Sequence, residues 1–363
     1  MRKRLAILIL LSMTVSLLCG TVFAERPATV NSAKAGIRVD LARGGTYYFE
    51  TLTPELFLWL STEAGENSTV TLLQDLTLSS KEGTNFLSLG QTVGDTPAIV
   101  LDLNDFRLYY HGPSNLFAIP YDGDLTVKNG TVYYECTGNS RSPFVLGATS
   151  SQQCDPADAS VGVTPRLRLQ DMAICSGNPE TGRIINCFQW MADISVEDSF
   201  LWTYAAKSAA IDMRKSTQKD SETVQWKGDY SSTVRLTGST VGTAGNYALA
   251  SADACTFTVE ETTLVSTVAV KDPTTPGTIH GIGEAITAEW KGMAPDGAAV
   301  QGTGITYATP QAEEEVSPAE TEPNSGIPEW FRPPVTGVSI LGLAAPAALS
   351  LLCAAAVMPK KKH

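Results

Sequence analysis

The chain has 363 residues, of which 26 are lysine or arginine and 38 are aspartate or glutamate, so its formal net charge is −12. Six basic residues lie within the first four and the last four positions. The chain between these ends therefore has 20 basic residues against the same 38 acidic ones, a formal charge of −18. This composition argues against nucleic acid and anionic membrane surfaces as partners, because both require basic patches.

The N-terminus has the features of a secretory signal. Arg2, Lys3 and Arg4 precede an apolar run over residues 5–18, and small residues at Val22 and Ala24 follow. A basic start, a short apolar stretch and a small residue before the cleavage point are typical of a signal peptide. We therefore predict a signal peptide over residues 1–24, removed after Ala24.

The C-terminus has the features of a membrane anchor. Residues 335–358 contain no charged side chain, and as a helix they would extend about 36 Å, enough to cross a hydrocarbon core of about 30 Å. The basic tail, residues 359–363, is expected in the cytoplasm by the positive-inside rule. Residues 308–334 are acidic and rich in proline and are predicted to be an extended linker. The sequence thus predicts a single-pass plasma-membrane protein whose main domain lies outside the cell.

Residues 66–307 contain a short repeated pattern. Each copy has apolar residues at positions 1, 3 and 8 and a turn-forming residue at position 5, and the starts are 24, 42, 27, 40 and 23 residues apart. Weaker matches at 144–146 and 211–213 would divide the two long intervals, and others occur at 70–78 and 279–286. The clear copies are 101–108, 125–132, 167–174, 194–201, 234–241 and 257–264.

The spacing within a copy predicts two short strands joined by a bend. Alternation with a period of two points positions 1, 3 and 8 toward a core. Position 5 is Asp, Asn or Gly in five of the six copies, and these residues tolerate the left-handed backbone of a sharp bend. A unit this small buries its apolar face only by stacking on its neighbours, so the copies are expected to pair strand to strand along one axis.

The segment LTVKNGTV at 125–132 resembles the right-handed parallel β-helix of the pectate-lyase-like superfamily, as found in bacterial surface proteins. The expected fold class is therefore all-β: a parallel β-helix solenoid over residues 66–307, followed by the transmembrane helix. Thr53-Pro54-Glu55 has the features of a helix start, and residues 25–65 are predicted to cap the stack. A β-sandwich of short strands is the alternative, although it does not explain the repeat.

The resemblance also implies a possible activity. Enzymes of this superfamily cut acidic polysaccharides with clustered carboxylates, sometimes with calcium, and a basic residue. Asp171 and Asp198 hold the same position in consecutive copies and are the catalytic candidates; a polar ladder at the bend is the alternative for this pair. No motif predicts a metal site or a cofactor, and only two histidines, His111 and His280, lie between the predicted signal and anchor.

A second candidate site rests on aromatic residues. Position 9 of the copies, which is predicted to point outward, holds Tyr109, Tyr133 and Trp202. Aromatic rings in register on a flat face stack against sugar rings, so these three are the predicted ligand-binding residues. The alternative is that they stack on each other and only stabilise the sheet.

These observations favour a non-enzymatic, membrane-anchored surface protein that contacts an extracellular glycan or a surface protein, with no cofactor unless calcium takes part. A surface polysaccharide lyase or glycoside hydrolase of the same fold is the first alternative. A structural spacer of the cell envelope is the second, and it requires neither a groove nor an aromatic face.

Overall fold

The structure is a computed structural model. It describes residues 25–63, 68–81, 83, 85–89, 97–119, 123–137, 141–147, 164–177, 182–187, 192–205, 209–213, 232–244, 248–250, 255–265 and 299–308. The predicted signal peptide, the linker beyond residue 308, the predicted anchor at 335–358 and the basic tail lie outside the described residues. Within the described part of the chain, no helix has the length and apolar character needed to span a bilayer.

The described residues are predominantly β-strand, as predicted. They include a 3₁₀ helix at Ser32–Lys34 and one α-helix, α1, at Pro54–Glu63. The strands, numbered in chain order, are β1 (Ile37–Asp40), β2 (Thr46–Phe49), β3 (Ser68–Leu72), β4 (Leu76–Ser79), β5 (Asn85–Ser88), β6 (Ala98–Asp102), β7 (Arg107–Gly112), β8 (Asn115–Ile119), β9 (Asp124–Cys136), β10 (Phe144–Leu146), β11 (Arg166–Ser176), β12 (Ile185–Cys187), β13 (Asp193–Glu197), β14 (Phe200–Thr203), β15 (Ile211–Asp212), β16 (Ser232–Thr237), β17 (Thr240–Thr243), β18 (Leu249–Ala250), β19 (Cys255–Glu260), β20 (Thr263–Val265), β21 (Ala299–Thr303) and β22 (Thr306–Ala308).

The strands form three parallel ladders. The first ladder runs β3, β6, β9, β11, β13, β16, β19 and β21, and the second runs β4, β7, β9, β11, β14, β17, β20 and β22. Strands β9 and β11 are long enough to belong to both, so the two ladders, together with β1 and β2, make one sheet of 16 strands. The third ladder is a separate sheet of six strands in the order β5, β8, β10, β12, β15 and β18. Antiparallel pairing among the described strands occurs at β1, which joins β2 and β3.

The register places equivalent residues of successive repeats side by side, which makes continuous columns of buried apolar side chains. In the repeat at 125–132, Leu125, Val127 and Val132 are all buried, as the alternation predicts. One column is made of Val70, Leu101, Val127, Leu169, Val196, Leu236 and Val259. The second is made of Leu76, Leu108, Val132, Ile174, Leu201, Val241 and Leu264. These parallel ladders rule out the β-sandwich alternative, whose sheets are antiparallel.

The bends between the first and second ladders have the predicted left-handed backbone. The φ angles are 58° at Asn129, 51° at Asp171, 46° at Asp198, 59° at Gly238 and 46° at Glu261. Asn, Asp and Gly populate this region most readily, which explains why the fifth position of the repeat is restricted to a few residue types. The residue with positive φ at each bend therefore marks the point where the chain turns from the first ladder to the second.

Two details of the predicted repeat were wrong. In the copy at 101–108, the structure pairs Leu101 with Val127 rather than with Leu125, because Asn104 and Asp105 both have positive φ and make the bend two residues longer. The weaker matches at 144–146 and 211–213 are not copies of the repeat. They coincide with β10 and β15, which belong to the third ladder, so the long intervals reflect longer connections rather than missing copies.

Helix α1 begins at Pro54, as predicted, and packs against the first strands of the third ladder. Leu56, Phe57 and Leu60 are almost fully buried, and the ring of Phe57 lies 6.0 Å from that of Phe117 on β8. Phe117 in turn stacks on Phe144 of β10 at 5.3 Å. The core is therefore continuous from the N-terminal helix into the third ladder.

Candidate functional site

The structure places the predicted aromatic residues in one row on the outer face of the second ladder. Tyr109 pairs with Tyr133, Tyr133 with Cys175, and Cys175 with Trp202. The rings of Tyr109 and Tyr133 stack with centroids 5.1 Å apart and planes 12° apart. Trp202 is separated from this stack by one strand, so the three rings share a face without forming one continuous stack.

Exposure differs among the three rings. Tyr133 retains only 5% of its accessible surface, whereas Tyr109 and Trp202 are half-buried. A ring that stacks on a ligand must present one face to solvent, and among these three residues Tyr109 and Trp202 have the exposure to do so. Tyr133 supports Tyr109 from the neighbouring strand. For the tyrosine pair, this stacking agrees with the alternative that the rings pack on each other and stabilise the sheet. The ligand-binding role of the row stays a prediction.

Trp202 is the centre of a larger aromatic group. Phe200 lies 6.2 Å away with its ring nearly parallel, and Tyr204 lies 6.2 Å away in an edge-to-face arrangement. A Cβ atom at Gly242, the partner of Trp202 on the next strand, would lie 2.5 Å from the indole ring. The indole therefore lies over the backbone of Gly242, and the absence of a side chain there makes room for it.

Phe200 and Tyr204 were missed by the sequence prediction. The prediction used only position 9 of each repeat, whereas these two residues lie at positions 7 and 11 of the copy that begins at residue 194. A signal for them was present, because residues two apart along a strand share one face and the segment at 200–204 alternates aromatic with other residues.

A charged group borders the tyrosine end of the row. The guanidinium of Arg107 hydrogen-bonds to the hydroxyl of Tyr109, and this bond raises the pKa of Arg107. The backbone N–H of Arg107 donates to the Asp75 carboxylate at 2.8 Å. His111 Nδ1 and the Glu135 carboxylate lie 2.8 Å apart, within hydrogen-bond distance, on the same face. Hydrogen bonds thus fix the polar side chains at this end of the row.

The catalytic candidates lie in a different place, on a groove along the bends between the first and second ladders. The groove has a volume of about 290 Å³, and its lining residues are Lys128, Asn129, Gln170, Asp171, Glu197 and Asp198. Asp171 and Asp198 are exposed and occupy consecutive bends, as the sequence predicted. Consecutive strands lie about 4.8 Å apart, so the two residues are neighbours along the groove. The Asp198 carboxylate itself lies over Gly238, at the following bend.

Several polar contacts organise this groove. Gln170 donates to Glu197 at 3.2 Å, while the Asn129 amide donates to Asp102 at 3.0 Å and Lys128 pairs with the same carboxylate at 3.5 Å. Among the described residues, no cation pairs with Asp171 or Asp198. The groove therefore has three carboxylates and one lysine, whose charge is shared with Asp102 outside the groove.

Two arginines of the first ladder pair with carboxylates outside the groove. Arg168 pairs with Asp124, and this hydrogen bond raises the pKa of Arg168. Arg235 pairs with Asp193 at 2.7 Å. In the described ranges, no group of three or more His, Cys, Asp or Glu side chains has the geometry to hold a metal ion. Calcium thus stays a prediction from the resemblance alone.

Comparison of the chain with protein-family models, with curated proteins and with solved structures finds no match.

Proposed function

We propose that this chain is a membrane-anchored surface protein whose ectodomain is a right-handed parallel β-helix of the pectate-lyase-like type, and that its aromatic face binds an extracellular glycan. The proposal rests on the half-buried indole of Trp202, which lies over Gly242 and is flanked by Phe200 and Tyr204. Glycan-binding surfaces use rings fixed in this way, because a rigid aromatic plane stacks on a sugar ring at little entropic cost.

The parallel ladders support the proposed architecture. Each repeat adds one strand to the first ladder and one to the second, and most add one to the third, as successive turns of a three-sided helix would. Crossovers between parallel strands are almost always right-handed, which favours the right-handed form. In this architecture we assign α1 and β1–β2 to the N-terminal cap proposed over residues 25–65.

A glycan array tests the binding proposal. The full chain, purified in detergent, is applied with and without calcium, and Trp202→Ala is applied in parallel. We expect at least one glycan to bind the wild type and to lose about tenfold or more in affinity with the variant, since buried tryptophan contacts dominate interfaces where they occur. The proposal would be contradicted if the wild type bound no glycan on the array, or if Trp202→Ala left the binding unchanged.

The enzymatic alternative rests on the groove that brings Asp171 and Asp198 together. Two neighbouring carboxylates are the minimum for acid and base catalysis on a glycoside. Assays for new reducing ends and for unsaturated products on any glycan that binds would detect turnover. Turnover that Asp171→Asn or Asp198→Asn abolishes would establish an enzyme, and binding without turnover would favour the non-enzymatic protein.

A further inference from the structure

A short motif stands at the start of the predicted membrane anchor. The sequence PPVTG occupies residues 333–337, residues 338–358 have no charged side chain, and the basic tail at 359–363 follows. As a helix, residues 338–358 alone would extend about 32 Å, enough to cross a hydrocarbon core of about 30 Å. The motif is therefore not needed for the span, and the predicted topology places it at the outer surface of the membrane.

The residue types in this motif suit an enzyme that cuts and rejoins a peptide bond. Pro334 fixes φ at about −65° and lacks an N–H, which favours the extended backbone in which proteases and transpeptidases bind their substrates. Gly337 has no side chain, so the Thr336 carbonyl before it is open to a nucleophile. Pro-x-Thr-Gly, an apolar span and a basic tail, in this order, are read by sortase-type cysteine transpeptidases. Pro333 stands where such signals usually have leucine.

The order of the three parts has a physical reason. The apolar span and the basic tail hold the chain in the bilayer, because lysines cross a hydrocarbon core at high cost. A chain held in this way keeps its Pro-x-Thr-Gly sequence next to the membrane surface, where an enzyme bound to the same membrane reaches it. A permanent anchor needs no such sequence at its outer end, and a glycolipid-anchor signal ends in its apolar tail.

The fold of the described domain is formed without the anchor. Its hydrophobic core, as far as the structure describes it, is made by side chains between Ile37 and Leu264, with Ile305 packed against them. The last described strand, β22, ends at Ala308, and residues 309–332 separate it in sequence from the motif. Cutting the chain within the motif therefore leaves the described core and the aromatic face intact.

We infer that the predicted membrane helix is a temporary anchor and that a cysteine transpeptidase joins the domain through Thr336 to an amine of the cell wall; this rests on the surface location proposed above. The enzyme thiolate attacks the Thr336 carbonyl carbon and forms a thioester. The bond to the Gly337 nitrogen breaks, and this nitrogen takes a proton and leaves as the amine of the fragment 337–363. A wall amine then attacks the thioester, forms an amide with Thr336 and releases the thiol. One amide is broken and one is formed, so the exchange needs no oxidant or reductant.

The test follows the full chain in the cells that produce it. Membranes are extracted with detergent, and the remaining walls are digested with a muramidase. We expect the protein to resist detergent and to appear after digestion, with a C-terminal peptide that ends at Thr336 and carries the additional mass of a wall peptide. Thr336→Ala should abolish this product and leave the chain in the detergent extract, with residues 337–363 still attached.

The matched control is Val335→Ala, at the one position that the Pro-x-Thr-Gly pattern leaves unspecified, and it should be attached to the wall as the wild type is. Recovery of the complete wild-type chain, including residues 337–363, from the detergent extract would overturn the inference. Wall attachment that Thr336→Ala leaves unchanged would also overturn it. Neither result affects the proposed glycan binding, whose failure is detected separately by the array with Trp202→Ala.

Discussion

Tyr134 shows how tightly the inside of the stack is packed. Its side chain is fully buried, its ring stacks on Tyr110 at 5.3 Å, and its hydroxyl donates to the backbone carbonyl of Ser114 at 2.8 Å. Burial, which removes water from the phenolate, is the main cause that raises the pKa of Tyr134, and Cys136 adds to it. The phenol therefore stays protonated in the folded protein well beyond the pH at which a free tyrosine ionises.

This shift predicts a loss of stability in alkaline solution. The unfolded phenol ionises near pH 10, so the contribution of Tyr134 is complete below that pH and decreases as pH rises from there toward the raised folded value. We expect Tyr134→Phe to be less stable by about 1 kcal/mol at neutral pH, because the hydrogen bond to Ser114 is lost. Above about pH 10 the free energy of unfolding should fall with rising pH less steeply in the variant than in the wild type. The difference between the two slopes should be about 1.4 kcal/mol per pH unit. Urea unfolding over this range measures both, and equal slopes would contradict the assignment.

Gly242 sets the position of the indole at the candidate site. A methyl group there would overlap the Trp202 ring, so Gly242→Ala must move the indole. We expect a stability loss of about 1–3 kcal/mol, a changed tryptophan emission spectrum and weaker glycan binding. Ala244→Ser, two residues along the chain, is the matched control and should change none of these. Unchanged emission and binding in Gly242→Ala would show that the indole is not held over this glycine.

At the scale of the elements, the bends are stabilised from inside by a ladder of hydroxyl groups. Ser199, Ser239 and Thr262 each follow a left-handed bend residue and are almost fully buried. Each hydroxyl donates to the carbonyl two residues earlier and accepts from a backbone N–H of the preceding repeat: Ser239, for example, donates to Thr237 at 2.8 Å and accepts from Ser199 at 3.1 Å. The ladder thus satisfies backbone groups that the turning chain would otherwise leave unpaired.

Removing one hydroxyl should leave a buried N–H without an acceptor. We expect Ser239→Ala to reduce the free energy of unfolding by about 1–3 kcal/mol, because the N–H of Ser199 loses its partner. Ser195→Ala, on the outer face of β13, is the matched control and should change stability by no more than about 0.5 kcal/mol. Chemical denaturation measures both. A Ser239→Ala variant as stable as the control would contradict the proposed role of the ladder.

The predominantly β, parallel character could be predicted from the sequence because the repeat combines two physical requirements. The buried positions need apolar residues every second position, and the bends need residues that tolerate positive φ. The third ladder could not be found in the same way, since strands such as β10 and β15 have two or three buried residues and no fixed bend. The strand register of the copy at 101–108 could not be predicted, because its bend at Asn104 and Asp105 is two residues longer. The apolar residues keep the same spacing in the sequence, but Leu101 pairs with Val127 instead of Leu125.

The candidate site was only partly predictable. Repeat position located Tyr109, Tyr133 and Trp202 on one face, but position alone does not determine exposure, and Tyr133 is buried in the structure. The space for the Trp202 indole depends on Gly242 of the neighbouring strand, which becomes visible once the strand pairing is known.

For the whole molecule, the stacked arrangement makes each repeat dependent mainly on its two neighbours. Strands β9 and β11 pair on both sides and bridge two ladders, whereas β2 at one end pairs with β1 alone among the described strands. Interior repeats bury their apolar columns against two neighbours, and terminal repeats bury them against one. Local stability should therefore be highest in the middle of the stack.

Hydrogen exchange tests this gradient. We expect amide groups of β9, β11 and β13 to exchange most slowly and those of β2 and β22 fastest, because opening an end breaks one interface and opening the middle breaks two. Exchange measured by mass spectrometry on the full chain in detergent resolves these peptides. Uniform protection, or slower exchange at the ends than in the middle, would contradict a linear stack.

The binding claim depends most directly on Trp202. Calorimetric titration of the strongest glycan from the array into wild type and Trp202→Ala measures that dependence, with Thr263→Ala on the same face as the control. We expect Trp202→Ala to lose about 1.4 kcal/mol or more of binding free energy, a tenfold change in affinity, and the control to lose none. Equal affinities for all three proteins, with melting temperatures showing that each is folded, would contradict the claim that this aromatic face binds the glycan.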